Sequence, residues 1–348
     1  MSSANKFITD AVVLTNPTID PLILDIVILI VGCFLTVLVC LFGIGANVVN
    51  IMVFRKQGYQ DGVNVTLTAL AISDLGGLIF DLVYAVMLNP YILETDVVVS
   101  KIVILFVTGF TFEYFTRVSS VITAFAALER CVCVTQPLKV KDIFTKKVSV
   151  VVNTSIFLIY SLYLLLQFIT MYFEWTFIPG RNMTVYVVYF NSRRAVMFPI
   201  TYYVTDMILP YGTYIILMCC CTLLFIKLKS KAKWRQQVST SVDKASHITS
   251  KERKSARMFM TVSFMCVVLL LPQSLVYSAT IFVKALALNG SHSDLRHVFS
   301  TCTNLLKISN SSFTIFIYYT MSTKYRLEFQ KMFAKNITDF KLLNGENN

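Results

Sequence analysis

The sequence predicts an all-α membrane protein. The expected form is a seven-transmembrane helix bundle with its N-terminus outside, an amphipathic helix on the inner surface and a β-hairpin in the second outer loop. Three observations carry this. Charged residues make up 14 % of the 348-residue chain and hydrophobic ones 56 %, against about a quarter charged in a soluble domain. Seven apolar runs are each long enough for the roughly 20 helical residues that cross a hydrocarbon core. The basic residues fall in alternate gaps between those runs, which is the positive-inside pattern.

The chain opens with a polar tail, 1–21, holding Pro17 and Pro21 and no evident cleavable signal. The seven-helix domain follows over 22–320, with runs near 23–54, 63–88, 100–132, 147–170, 198–227, 256–283 and 296–320. The seventh run is the least apolar, carrying Thr301, Thr303, Asn304, Lys307 and Ser309 to Ser312. A helix this polar must sit against other helices rather than face lipid all round. Residues 321–348 form the inner helix and tail. There Tyr325, Phe329, Met332 and Phe333 share a face expected to lie on the inner leaflet.

Loop charge sets the orientation. The gaps after the first, third and fifth runs hold Arg55 and Lys56, then Lys139, Lys141, Lys146 and Lys147, then ten basic residues from Lys227 to Arg257. Odd-numbered gaps are therefore cytoplasmic. The net charge of +12 is accordingly a membrane-topology signal, not a nucleic-acid surface. Of the glycosylation sequons, Asn182 and Asn289 fall outside. In the outer loop after the fourth run, Phe173–Ile178 and Met183–Phe190 are aromatic and β-branched stretches around the turn sequence Pro179-Gly180-Arg181-Asn182, hence the hairpin. Nine Cys form no disulfide framework, and the three His do not cluster with them, so no metal site is legible.

Polar groups inside the membrane are costly, so their positions carry information. Glu129 and Arg130 stand at the inner end of the third run. Neighbours on a helix do not face each other, so Arg130 is expected to reach toward another helix unless it merely snorkels at the boundary. Glu252, at the inner start of the sixth run, lies twenty residues before Pro272. That is about 30 Å of helix, which puts it level with Arg130 as a cross-helix partner. Stepping outward along the third run gives Thr123, Ser119, Thr116 and Phe112 on one face. Asn47, Asp74, Ser119, Asn310 and Ser311 then compose a polar network fit for a sodium ion or a water cluster, or simply for a satisfied buried carboxylate. Nearer the outside stand Asp81, Tyr84, Glu113, Thr116, Arg117, Asp206, Gln273, Tyr277, Asn304 and Lys307. Their charges either pair internally, Glu113 with Arg117 and Lys307 with Asp81, or meet a polar ligand.

The motifs then resemble a family. Gly43-xxx-Asn47, Leu70-xxx-Asp74, Glu129-Arg130-Cys131 with Pro137, Pro210, Pro272, and Tyr318 followed by Tyr325-Arg326 occur in the helices and order of the rhodopsin-like (class A) G-protein-coupled receptors. The wording around them is most similar to invertebrate chemosensory receptors of the molluscan type, with FMRFamide-type peptide receptors next. The resemblance implies a multi-pass plasma-membrane receptor for an extracellular ligand. It implies activation of a heterotrimeric G protein through Glu129, Arg130 and Tyr318, with membrane lipid as the other partner and no nucleic acid. The departures are specific: no Cys at the outer end of the third helix or in the second outer loop, Leu270 where the sixth helix usually has Trp, and Thr314 to Tyr318 in place of the Asn-Pro motif. No nucleophile–base pair or phosphate loop argues for an enzyme. A transporter or channel would show repeated halves and helices broken at mid-membrane, and the sequence shows neither.

Overall fold

The computed structural model describes residues 18–92, 99–136, 143–179, 182–238, 243–287 and 290–343, with side chains described for all of these except 231–253 and 334–343. Seven long helices form the bundle. α1 is Pro21–Gln57, with a π-helical stretch at Ile28–Leu35. α2 is Gly62–Leu88, α3 Lys101–Thr135 and α4 Lys146–Ile169. α5 runs from Arg194–Tyr202 through a π stretch, Tyr203–Ile208, into Leu209–Val238. α6 is Asp243–Phe282, α7 Ser293–Met321, and α8, Thr323–Leu343, follows after a single residue. Helices α1 to α6 are each long and apolar enough to cross a membrane. α7 is the polar helix that hydropathy passes over.

Local chemistry sets several boundaries. Gly58 closes α1 at φ 80°, a left-handed position that suits glycine. Asp61 caps α2 by accepting from the Val63 N–H, and Thr145 caps α4 by accepting from Val148. Pro210 has no N–H to offer the Asp206 carbonyl, so the preceding turn of α5 widens. Asp206 sits in that widened turn. Pro272 likewise removes the bond to the Val268 carbonyl inside α6.

The outer hairpin pairs β1, Met171–Ile178, with β2, Met183–Phe190, antiparallel and in register from Met171 opposite Phe190 to Ile178 opposite Met183. β1 thus begins two residues earlier than the sequence pattern suggested. The hairpin docks on α3 without a disulfide. The Ser100 N–H donates to the Tyr186 carbonyl at 2.9 Å, and Val103 packs with Met171 and Val188. The Arg194 guanidinium lies 4.0 Å from the Phe190 ring centre and 4.6 Å from that of Phe198. Asn182 is exposed at the hairpin tip with φ 49°, a conformation asparagine tolerates. Asn289 lies outside the described residues.

Two apolar clusters hold the inner half. Cys131, Leu217, Leu224, Ala256 and Cys266 join α3, α5 and α6. Val53, Phe54, Met258, Tyr318, Tyr325 and Met332 join α1, α6, α7 and α8. This corrects the face expected of α8. Tyr325 and Met332 turn into the bundle at 1 % and 4 % exposure, leaving Leu327 and Phe333 as its exposed large apolar side chains among the described residues. The cause is a polar anchor: the Tyr325 hydroxyl donates to Asn50 Oδ1 at 2.6 Å, beneath the Phe54 and Tyr318 rings. Large apolar side chains such as Leu158, Leu162, Ile215, Phe264 and Phe282 face outward, as a lipid-immersed bundle requires.

Candidate ligand cavity and signalling face

A small cavity opens among α3, α5, α6 and α7. Its volume is about 40 Å³, room for roughly three water molecules. α3 contributes Glu113, Thr116, Arg117 and Ser120, and α5 contributes Asp206, Pro210 and Tyr214. α6 contributes Leu270, Gln273, Ser274 and Tyr277, and α7 contributes Lys307. Four charged side chains therefore meet where hydrocarbon surrounds the bundle, and burial that deep demands partners.

The structure keeps one of the pairings the sequence suggested and replaces the other. Lys307 was expected on Asp81, yet its ammonium donates to Glu113 Oε1 at 2.5 Å. Arg117 was expected on Glu113, one helical turn away. That salt bridge is present, with Nη2 3.8 Å from Glu113 Oε2, and the same Nη2 donates its hydrogen bond to Asp206 across the α3–α5 interface. The widened turn before Pro210 carries Asp206, and that turn has no counterpart in the spacing of residues. Asp81 is fully buried and uses neutral partners, accepting from Asn304 Nδ2 at 3.3 Å and from the Cys40 thiol at 3.6 Å. Asp81, Tyr84 and Asn304 stand outside the cavity lining; the other seven residues named for this region line it.

Hydroxyls tie the helices together around these charges. Tyr277 donates to Glu113 Oε1 at 3.0 Å, and Thr303 donates to Gln273 Oε1 at 2.5 Å. Tyr214 and Ser274 share a hydrogen bond of 2.9 Å between α5 and α6. Ser120, Tyr214 and Ser274 were missed in the sequence. The available signal was adjacency, since each lies within four residues of a position already singled out.

Below the cavity lies the polar network. Ser119 donates to Asp74 Oδ1 at 2.6 Å, and Ser311 is the other hydroxyl in hydrogen-bonding reach of that carboxylate. Asn47 donates to the Ser311 carbonyl at 2.9 Å, and Asn310 is buried nearby on α7. Asn50 passes the chain of bonds on, donating to Asn47 at 3.4 Å while accepting from Tyr325.

At the inner end Arg130 reaches another helix, as expected, and also pairs within its own. Its Nη2 donates to Glu129 Oε1 at 2.8 Å, its own neighbour, and the guanidinium lies 5.4 Å from the Phe259 ring centre on α6. Backbone spacing keeps adjacent side chains apart, but the long guanidinium stem folds back far enough to close the pair. Glu252 lies in α6, and its side chain falls outside the described residues. Tyr318 is 2 % exposed and packs edge-on to Phe54. Arg130 stands thirteen residues beyond Arg117 on α3, about 20 Å along the helix. Phe259 and Gln273 are comparably spaced on α6. The same two helices thus carry the cavity at one end and the arginine contact at the other.

A seven-helix bundle with a charged cavity in one half and an acid–arginine pair at the opposite end is the layout of a membrane receptor. The family model for the serpentine type 7TM GPCR chemoreceptor Srw matches residues 34–336, and the chain belongs to that family. No curated protein matches it. The protein is therefore a chemosensory G-protein-coupled receptor, a non-enzymatic, multi-pass protein of the plasma membrane that answers an extracellular ligand through G-protein signalling.

Proposed function

We propose that the receptor recognises a polar or zwitterionic molecule in the cavity bounded by Glu113, Arg117, Asp206 and Lys307, and activates a heterotrimeric G protein through Arg130. The supporting observation is that two cations and two carboxylates, all largely buried, line one small space. A ligand that competes for these groups must part α6 and α7 from α3. Pro272 interrupts the hydrogen-bond ladder of α6 beside the cavity residue Gln273, so displacement hinged there carries Phe259 away from Arg130. Freed of that contact and of Glu129, Arg130 is the group that meets the G protein. Kinship with the rhodopsin-like class, and with its molluscan-type chemosensory members, belongs to this reading and is supported by Asn47, Asp74, Arg130 and Tyr318 in their helices.

Two further assignments accompany it. Asp74 with the Ser119 and Ser311 hydroxyls offers the hard oxygen ligands that a sodium ion takes, a donor set that fits such an ion. Asn182 is assigned as a glycan acceptor, supported by its exposure at the hairpin tip, with Asn289 as the second sequon. The test of the main reading is ligand potency in Arg117→Ala and Lys307→Ala at matched surface expression. Weakened potency supports it, and unchanged potency in both variants contradicts it.

A further inference from the structure

The Arg117 guanidinium is held on two sides and unpartnered on a third. Nη2 is committed to Asp206, and the guanidinium stacks over the Tyr163 ring at 4.6 Å. Nη1 is buried and has no hydrogen-bond partner among the described residues, although the side chain lines the cavity and the residue is only 8 % exposed. A buried guanidinium N–H without an acceptor is an unfavourable arrangement that an incoming anion relieves. Planar guanidinium groups match the oxygens of carboxylates and phosphates, and of the two the smaller, singly charged carboxylate suits a cavity of about 40 Å³. Facing it, Glu113 Oε1 receives Lys307 and Tyr277, whereas among the described residues Oε2 has only the 3.8 Å contact with Arg117. An N–H donor therefore has a place beside the carboxylate. The cavity admits only a small group as it stands, and its two cations balance its two carboxylates, so a group bearing both signs enters without unbalancing the site.

We infer that the ligand of this cavity presents a free carboxylate to Nη1 of Arg117, with an N–H on the adjacent carbon directed to Glu113 Oε2. This rests on the proposed function above and narrows it. The chemistry is shared by a free amino acid and by the C-terminal residue of a short peptide.

The experiment uses the full-length receptor in cells, with G-protein activation as the readout. The probes are the common free amino acids, a set of dipeptides and tripeptides, and the carboxamide of each. Free acids should activate, and amidation should lower potency about tenfold or more, as loss of a hydrogen bond to a charged group does. Arg117→Lys keeps the charge for Asp206 but removes Nη1; it should weaken the acids by a similar factor and leave acid and amide nearly equal. Activity confined to free amino acids, or to peptides with a free C terminus, identifies the source, and either supports the inference. Equal potency of acid and amide in the unaltered receptor overturns it, as does a panel in which no carboxylate-bearing member activates. That acid–amide comparison decides the matter even if Arg117→Lys fails to reach the surface. An amide or amine agonist whose potency falls in Lys307→Ala overturns the carboxylate and leaves the cavity reading intact. Agonists indifferent to both Arg117 and Lys307 overturn both.

Discussion

Lys307 of α7 and Glu113 of α3 meet at 2.5 Å, with side-chain exposures of 5 % and 19 %. Together with Arg117 and Asp206, they make α3 the hub from which charged arms reach α7 in one direction and α5 in the other. Such pairs return little net stability compared with apolar packing, because both ions give up water. They do impose a sharp cost when one partner is lost, and that makes them good triggers for a ligand that competes for a partner.

Lys307→Met should therefore destabilise the receptor by about 3 kcal/mol, the lower end for a stranded buried charge, because Arg117 still faces Glu113. Thermal unfolding of the purified receptor reads this. The double change Glu113→Gln/Lys307→Met should recover most of the loss. A double variant as unstable as the single would show that the two side chains do not act as a pair.

Arg194 lies between Phe190 and Phe198 and anchors the hairpin over the outer end. Replacing Arg194 with Ala should remove roughly 0.5–2 kcal/mol of cation–π attraction. The readout is hydrogen exchange across 171–190, which should quicken in the variant. Exchange as slow as in the unaltered protein would place the anchoring wholly in Val103, Met171 and Val188.

The bundle was legible in the sequence because hydropathy, loop charge and aromatic strand patterns are one-dimensional signals. The residues of the cavity were legible for a similar reason, since a charge inside an apolar run stands out. Their pairing was legible only in part. Glu113 and Arg117 look matched along one helix and do stay within 3.8 Å, but the widened turn before Pro210 brings Asp206 to Arg117 as its hydrogen-bond partner, and Glu113 takes Lys307 as well. Sequence spacing reports neighbours on one helix and says little about which faces of two helices meet. α8 shows the same limit. Its apolar face reads as membrane-bound until the Tyr325 hydroxyl finds Asn50.

Glu129→Gln should raise ligand-free nucleotide exchange, because it weakens the pair that holds Arg130 in the resting arrangement. Glu252→Ala should raise it as well, if smaller, through the cross-helix contact expected at the same level. Basal exchange that stays flat at matched surface expression removes whichever residue was changed from the restraint.

Sodium should lower agonist affinity in the unaltered receptor, with the effect vanishing in Asp74→Asn. Radioligand displacement in sodium and in N-methylglucamine buffers of equal ionic strength separates a site ion from general screening. An equal sodium effect in both proteins would take the ion away from Asp74.

The central claim is that a ligand bound among Glu113, Arg117, Asp206 and Lys307 acts at a distance through Arg130. Agonist-driven nucleotide exchange, measured with agonist binding on the same membranes, tests it most directly. In Arg130→Ala binding should persist while exchange falls to background, and in Lys307→Ala the exchange curve should move to higher agonist concentration with its maximum retained. Undiminished exchange in Arg130→Ala, or an unshifted curve in Lys307→Ala, would contradict the account.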